Sequence, residues 1–271
     1  MSDLRARYGP WAMVAGASSG LGAEFARQLA ARGLNVLLVA RRAELLETLA
    51  AGLRAQHRVE VRVASIDLGA PDLLERARAA TDGIEIGLLV YNAALSLIGP
   101  FLEQPLADKL RVIDVNCRGP LILADEFGRR MVARGRGGIL LMSSLAGSRG
   151  APLVATYAAT KAFNLVLAEG LWDELGARGV DVLACRAGAT RTEAYVDSAP
   201  EGKLPVMECA PVVTQALAAL GRRPSMVPGW LNRLGDFFLS RLLTRRASIR
   251  VMGRATRAMY PRFGERADGI K

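Results

Sequence analysis

Short, continuous apolar runs alternate along the chain with longer stretches whose apolar positions recur every three or four residues. The runs Trp11–Ala17, Asn35–Ala40, Val59–Ile66, Ile86–Asn92, Gly138–Ser143 and Val180–Ala184 are rich in Val, Ile and Leu. They lack polar alternation, which is how strands covered on both faces read. Between them, Leu45, Leu46, Leu49 and Leu53 give Ala43–His57 the spacing of a helix with one buried face. Pro71 and Asp72 open a helix running to about Ala80. Leu106–Arg134 and Val154–Ala177 read as the two longest helices, closed by Gly135 and Gly179. Strand and helix in repeated alternation predict an α/β fold: a single doubly wound parallel sheet with helices on both faces. No repeat or linker divides it, so residues 1–228 read as one domain.

Composition narrows the chemistry. Half the chain (51%) is hydrophobic, which excludes disorder for the bulk. Cys117, Cys185 and Cys209 form no C-x-x-C pair, and His57 is the only histidine. A disulfide framework and a thiolate or multi-histidine metal site are therefore excluded, and no metal is expected. With no signal-like start and no long uncharged apolar run, the expected location is the cytoplasm. The net charge of +10 is concentrated: residues 222–271 hold twelve Lys and Arg against three Asp and Glu. Residues 229–271 thus form a basic, helical C-terminal extension. Trp230, Leu231, Leu234, Phe237, Phe238 and Leu242 recur at helical spacing among Arg233, Arg241, Arg245, Arg246, Arg250, Arg254 and Arg257. Three readings stand: docking on the domain to widen a pocket, peripheral contact with an anionic membrane, or contact with an acidic partner such as an acyl carrier or a coenzyme A phosphate. Nucleic acid is disfavoured, because no recognition motif accompanies the arginines.

The first strand runs into Gly16-Ala17-Ser18-Ser19-Gly20-Leu21-Gly22, followed by a helix over Ala23–Ala31. Glycines there let the backbone turn tightly and approach a pyrophosphate, which rests on the amides of the helix N-terminus. An acidic residue closing the second strand would hold the adenosine ribose and select NAD. Ala40 stands there instead, followed by Arg41 and Arg42, whose planar donors suit a 2′-phosphate, Arg41 foremost. The pair predicts NADP(H). Asp67-Leu68 close the third strand and Asn92-Ala93-Ala94 the fourth. Asn116 falls in a long helical segment, Ser143 and Ser144 end the fifth strand, and Tyr157 and Lys161 share one helix face.

In order and spacing these residues resemble the short-chain dehydrogenase/reductase superfamily over roughly residues 8–230, with Tyr8–Ala12 and Leu38–Arg42 similar to its 3-ketoacyl and 17β-hydroxysteroid reductase branch. The resemblance implies a Rossmann-type, NADPH-dependent oxidoreductase that interconverts a ketone and a secondary alcohol on an apolar substrate. Tyr157 would be the general acid. Lys161 would lower the tyrosine's pKa and bond the nicotinamide ribose, Ser144 would donate to the substrate oxygen, and Asn116 would hold a relay water. Ser143 reads as structural. Cofactor contacts are expected from Gly16, Ser18, Ser19, Gly20, Leu21, Gly22, Arg41, Arg42, Asp67, Leu68, Asn92, Ala93, Ala94, Tyr157, Lys161, Gly188, Thr190 and Thr192.

The sequence departs from the family pattern at Ala15, Ala94 and Ala187, the last of which loosens one wall of the nicotinamide pocket. A lid is expected at about 190–210, with Val196, Leu204, Val206 and Met207 as a candidate apolar inner surface. The resemblance further implies a homodimer or homotetramer. Two alternatives stay open: the same chemistry with NAD, and a dinucleotide-sensing scaffold without turnover.

Overall fold

The computed structural model describes residues 4–198 and 206–263. Its strands are β1 (Trp11–Ala15), β2 (Asn35–Ala40), β3 (Val61–Ser65), β4 (Ile86–Tyr91), β5 (Gly137–Ser144), β6 (Val180–Ala187) and β7 (Ser225–Met226). They form one parallel sheet in the order β3-β2-β1-β4-β5-β6-β7. The order reverses between β1 and β4, and in such sheets the crevice beyond the strand C-termini at that point takes the ligand. The sequence gives no hint of β7, since two residues are too few to make an apolar run.

Every residue of β1 and β4 is buried, as a strand covered on both faces requires. Ala12 and Val14 enter one core, and Trp11, Met13 and Ala15 the other. The short α1 (Leu4–Tyr8) precedes the sheet. The first core is closed by α2 (Gly20–Ala30) and α3 (Ala43–Gln56), the second by α4 (Leu73–Ala80).

The long segment expected over Leu106–Arg134 is broken. It comprises α5 (Leu106–Ile113), one π turn (Asp114–Arg118) and α6 (Gly119–Arg134). Pro120 is the physical cause: it has no N–H to give the carbonyl four residues back, that of Asn116, and its ring crowds that carbonyl. The widened turn is pinned by Tyr91, whose hydroxyl donates to the Val115 carbonyl at 2.6 Å.

Beyond α7 (Ala155–Gly176) come α8 (Glu193–Asp197), α9 (Cys209–Ala219), α10 (Trp230–Phe237) and α11 (Arg245–Met259). Together α6 and α7 complete the second core and α9 the first. The C-terminal extension lies on the side of the sheet where α7 begins. Met252 of α11 packs with Ala151, Val154, Tyr157 and Ala158, whereas α10 leaves Trp230, Leu231, Leu234 and Phe237 exposed. Among the described residues, no helix is long and apolar enough to cross a membrane.

Candidate active site

The turn after β1 works only with glycine. Gly16 and Gly20 have positive φ, and a Cβ on Gly22 would lie 1.9 Å from the Gly16 carbonyl oxygen. Asn92 donates its amide to that same oxygen at 3.0 Å. The backbone N–H groups of Asn92 and Ala93 both reach the Ala15 carbonyl, each at 2.9 Å. One brace thus ties the first and fourth strand ends together. Leu21 packs into the first core, Leu68 is buried and Ala94 is exposed.

Of the two arginines after β2, Arg42 is the one whose guanidinium reaches the glycine turn. It donates to Ser19 Oγ at 2.9 Å and Ser18 Oγ at 3.2 Å, and it forks onto the Glu193 carboxylate at 2.8 and 3.2 Å. Arg41 is exposed, and its carbonyl accepts from Ser65. Asp67 is engaged by Arg111 and by the Gly69 N–H. Burial works against its ionised form, but those hydrogen bonds hold the carboxyl below its ordinary range.

A dinucleotide fits this end of the crevice on two observations. The first amides of α2 carry no side-chain cap. The donors expected to meet a phosphate already hold an anion, the Glu193 carboxylate.

At the other end, Ser144 closes β5 and caps the 3-10 turn Leu145–Ser148, accepting from the Ala146 N–H at 3.2 Å. That turn presses on α7, because a Cβ on Gly147 would lie 2.6 Å from the Lys161 carbonyl carbon. Ser143 is buried and donates to the Lys161 carbonyl at 2.7 Å. The ammonium of Lys161 donates to the Met142 carbonyl at 2.8 Å and lies 5.6 Å from the centre of the Tyr157 ring. The structure therefore brings Ser144, Tyr157 and Lys161 to one place.

Asn116 is engaged within the protein. Its side-chain oxygen accepts from the Leu95 N–H, and its amide donates to the Leu95 carbonyl, each at 2.8 Å, and to Thr160 Oγ1 at 3.0 Å. Thr160 in turn donates to the Tyr157 carbonyl at 2.8 Å. Leu95 and Thr160 carry no motif and are invisible in the sequence. Both N–H groups of the Asn116 amide are thus donated within the protein, while its oxygen accepts one bond.

Burial pushes the Tyr157 phenol up; the hydrogen bond with Ser144 opposes that, and Tyr260 adds to the rise. Burial also acts on the Lys161 ammonium, lowering its pKa to about 8.

The third wall follows β6. Gly188 admits Asn232, whose amide nitrogen would be 2.7 Å from a Cβ there. Thr190 donates to the Gly188 carbonyl at 3.0 Å. Thr192 caps α8 and lies over the glycine turn, its Cγ2 2.9 Å from where a Gly20 Cβ would stand. Of the residues expected to give this segment an apolar inner surface, Val196 is 58% exposed. Met207 packs into the first core, Val206 is half-buried, and Leu204 lies outside the described residues. An apolar wall beside Tyr157 comes from Ile98, Ala151, Val154 and Met252. Tyr260, also buried, sets its hydroxyl 3.3 Å from Ser198.

The short chain dehydrogenase family matches residues 10–201, and the chain belongs to it: it is an oxidoreductase with a Rossmann-type fold. Among its relatives, it is 33% identical over 240 residues to a 7beta-hydroxysteroid dehydrogenase of Collinsella aerofaciens, covering 85% of this chain and 90% of that one. It is 32% identical over 287 residues to a very-long-chain 3-oxoacyl-CoA reductase of Aspergillus clavatus, covering 97% and 80%. A solved structure of a 7beta-hydroxysteroid dehydrogenase superposes with a TM-score of 0.87 at 31% identity, over 92% of this chain and 98% of that one. A short-chain dehydrogenase from Sphingobium yanoikuyae, solved in complex with NADPH, gives 0.75 at 35% identity over 81% and 87%.

Proposed function

We propose that the protein interconverts a bulky apolar ketone and its secondary alcohol with NADP(H), Tyr157 serving as the proton donor. The observation that carries this reading is the meeting of Ser144, Tyr157 and Lys161 beside an apolar wall, in the crevice that also holds the glycine turn. When bound, the cofactor supplies or accepts the hydride. A phenol whose pKa is raised by burial stays protonated through neutral pH, the state needed to give a proton to an oxygen gaining negative charge. The Ser144 hydroxyl donates to the same oxygen and stabilises the negative charge that develops there. Lys161, titrating near pH 8, exchanges its proton readily and restores the phenol. The Asn116 carbonyl, denied its helical donor by Pro120, is the acceptor for a water linking Lys161 to solvent.

The names of the two relatives support a steroid-like or 3-oxoacyl substrate, and the wall of Ile98, Val154 and Met252 suits either. Arg42 with Ser18 and Ser19, and the relative solved with NADPH, support the 2′-phosphorylated cofactor. The test is nucleotide oxidation against 7-oxosteroids and 3-oxoacyl thioesters, with NADPH and NADH in parallel. The expected result is turnover with a kcat/KM for NADPH at least about tenfold above NADH. Equal use of both nucleotides overturns the cofactor choice, and absence of turnover on every ketone overturns the enzyme reading in favour of a sensing scaffold.

A further inference from the structure

A second basic cluster lies away from the glycine turn. Beside the ends of β6 and β7, under α10, is a cleft of about 380 Å³ lined by Arg186, Arg223, Arg233, Arg241, Asp236 and Phe237. Its charges do not cancel. Asp236 pairs with Arg186, and both side chains are mostly buried, at 16% and 15% exposed. Among the described residues, Arg223, Arg233 and Arg241 form no ion pair. Guanidinium groups gathered in one concavity repel each other unless an anion sits among them. The Nε of Arg186 is also buried without a hydrogen-bond partner.

The cleft is built onto the turn that carries Ser144. Arg186 pairs with Ser143 in the sheet, and its guanidinium donates to Ser148 Oγ at 2.5 Å. Ser148 ends the single 3-10 turn that starts after Ser144, a span of about 8 Å at the rise of such a helix. Arg149, the next residue, donates to the Ser240 carbonyl at 3.0 Å and so holds the segment following α10. The cleft and the turn of Ser144 are thus joined through the contact of Arg186 with Ser148.

We propose that this cleft binds the phosphorylated nucleotide end of a coenzyme A thioester whose ketone lies at Tyr157. The inference rests on the ketone-reducing site described above and names its substrate class. One carboxylate would neutralise only one of three unpaired guanidinium groups, whereas several phosphates match all three, and guanidinium forks suit phosphate oxygens. Phe237, 54% exposed at the cleft wall, offers its ring to a base.

Calorimetry on the full-length protein, saturated with NADP⁺ so that the Arg42 site is filled, tests it with coenzyme A and pantetheine as titrants. The expected result is that coenzyme A binds and pantetheine does not. The double variant Arg233→Glu, Arg241→Glu weakens coenzyme A at least about tenfold while retaining NADP⁺. In steady state, the preference for a 3-oxoacyl-CoA over the matching N-acetylcysteamine thioester falls by a similar factor through KM. No coenzyme A binding by the wild type, or a preference unchanged in the variant, overturns the proposal. Equal weakening of a steroid carboxylate overturns the phosphate class in favour of a general anionic tail. Intact coenzyme A binding without reduction of any ketone supports the cleft and sinks the catalytic reading instead.

Discussion

At Arg42 a single guanidinium holds two serine hydroxyls and a carboxylate from another segment, so the place expected for a 2′-phosphate is held by Glu193. Under the NADP(H) proposal, phosphate and Glu193 compete for the same donors. Arg42→Ala is expected to weaken NADPH about tenfold and leave NADH unmoved, while Glu193→Gln tightens NADPH several-fold. Fluorescence titration reads both, and parallel shifts for the two nucleotides would contradict the assignment. Lys161 gives a second prediction at this scale. Its folded pKa of about 8 lies below its ordinary 10.5, so between those values the unfolded chain holds the extra proton. Stability contributed at this site therefore rises with pH across that window; below pH 8 the buried charge costs about 3 kcal/mol. In urea unfolding, wild type gains about that much on Lys161→Met between pH 7 and pH 10.5; a constant difference would contradict it. The type and spacing of Tyr157, Lys161 and Ser144 were readable in the sequence. Which partner shifts the phenol was not, because burial and the direction of an ammonium depend on what packs around them.

Among the elements, the π turn at Asp114–Arg118 is where sequence periodicity and structure part. An apolar stripe continues through Leu106–Arg134, so the pattern reads as one helix, and only Pro120 beside Gly119 signals the break. The turn places Asn116 between Leu95 and Thr160. Pro120→Ala removes the obstacle to a regular helix. The expected outcome is a kcat at least about tenfold lower with thermal stability unchanged or higher, since proline is the costlier residue within a helix; unchanged kcat would detach the turn from catalysis. In the C-terminal extension, helical spacing was readable but its docking partner was not, because contact with Ala151 and Val154 joins residues about a hundred positions apart. Met252→Ala should raise KM several-fold for a bulky ketone and little for a small one, consistent with the ~1–3 kcal/mol that small apolar changes are worth in a pocket. Equal effects on both would place Met252 outside the substrate wall.

For the whole molecule, the parallel, doubly wound plan and the buried strands follow from uninterrupted apolar runs; β3, at the sheet edge, instead alternates Val61, Arg62 and Val63 and is mostly uncovered, a departure from that pattern. The seventh strand and the cleft beside it do not follow from such runs: β7 has two residues, and Arg186, Arg223, Arg233 and Arg241 converge only once β6, β7 and α10 are packed together. The charge gathered in residues 222–271 thus acquires a place, with three of those arginines at a cleft next to the turn of Ser144. On the proposed reading, Arg42 by the glycine turn and the cleft by α10 serve one chemical centre, Tyr157 and its apolar wall. That centre is tested most directly by comparing wild type with Tyr157→Phe in a single turnover on a productive ketone, with NADPH affinity measured on the same samples. The expected result is a rate reduced about 10²- to 10⁴-fold, the usual contribution of a positioned acid, with nucleotide affinity retained; a Tyr157→Phe protein reducing the ketone at the wild-type rate would contradict the account.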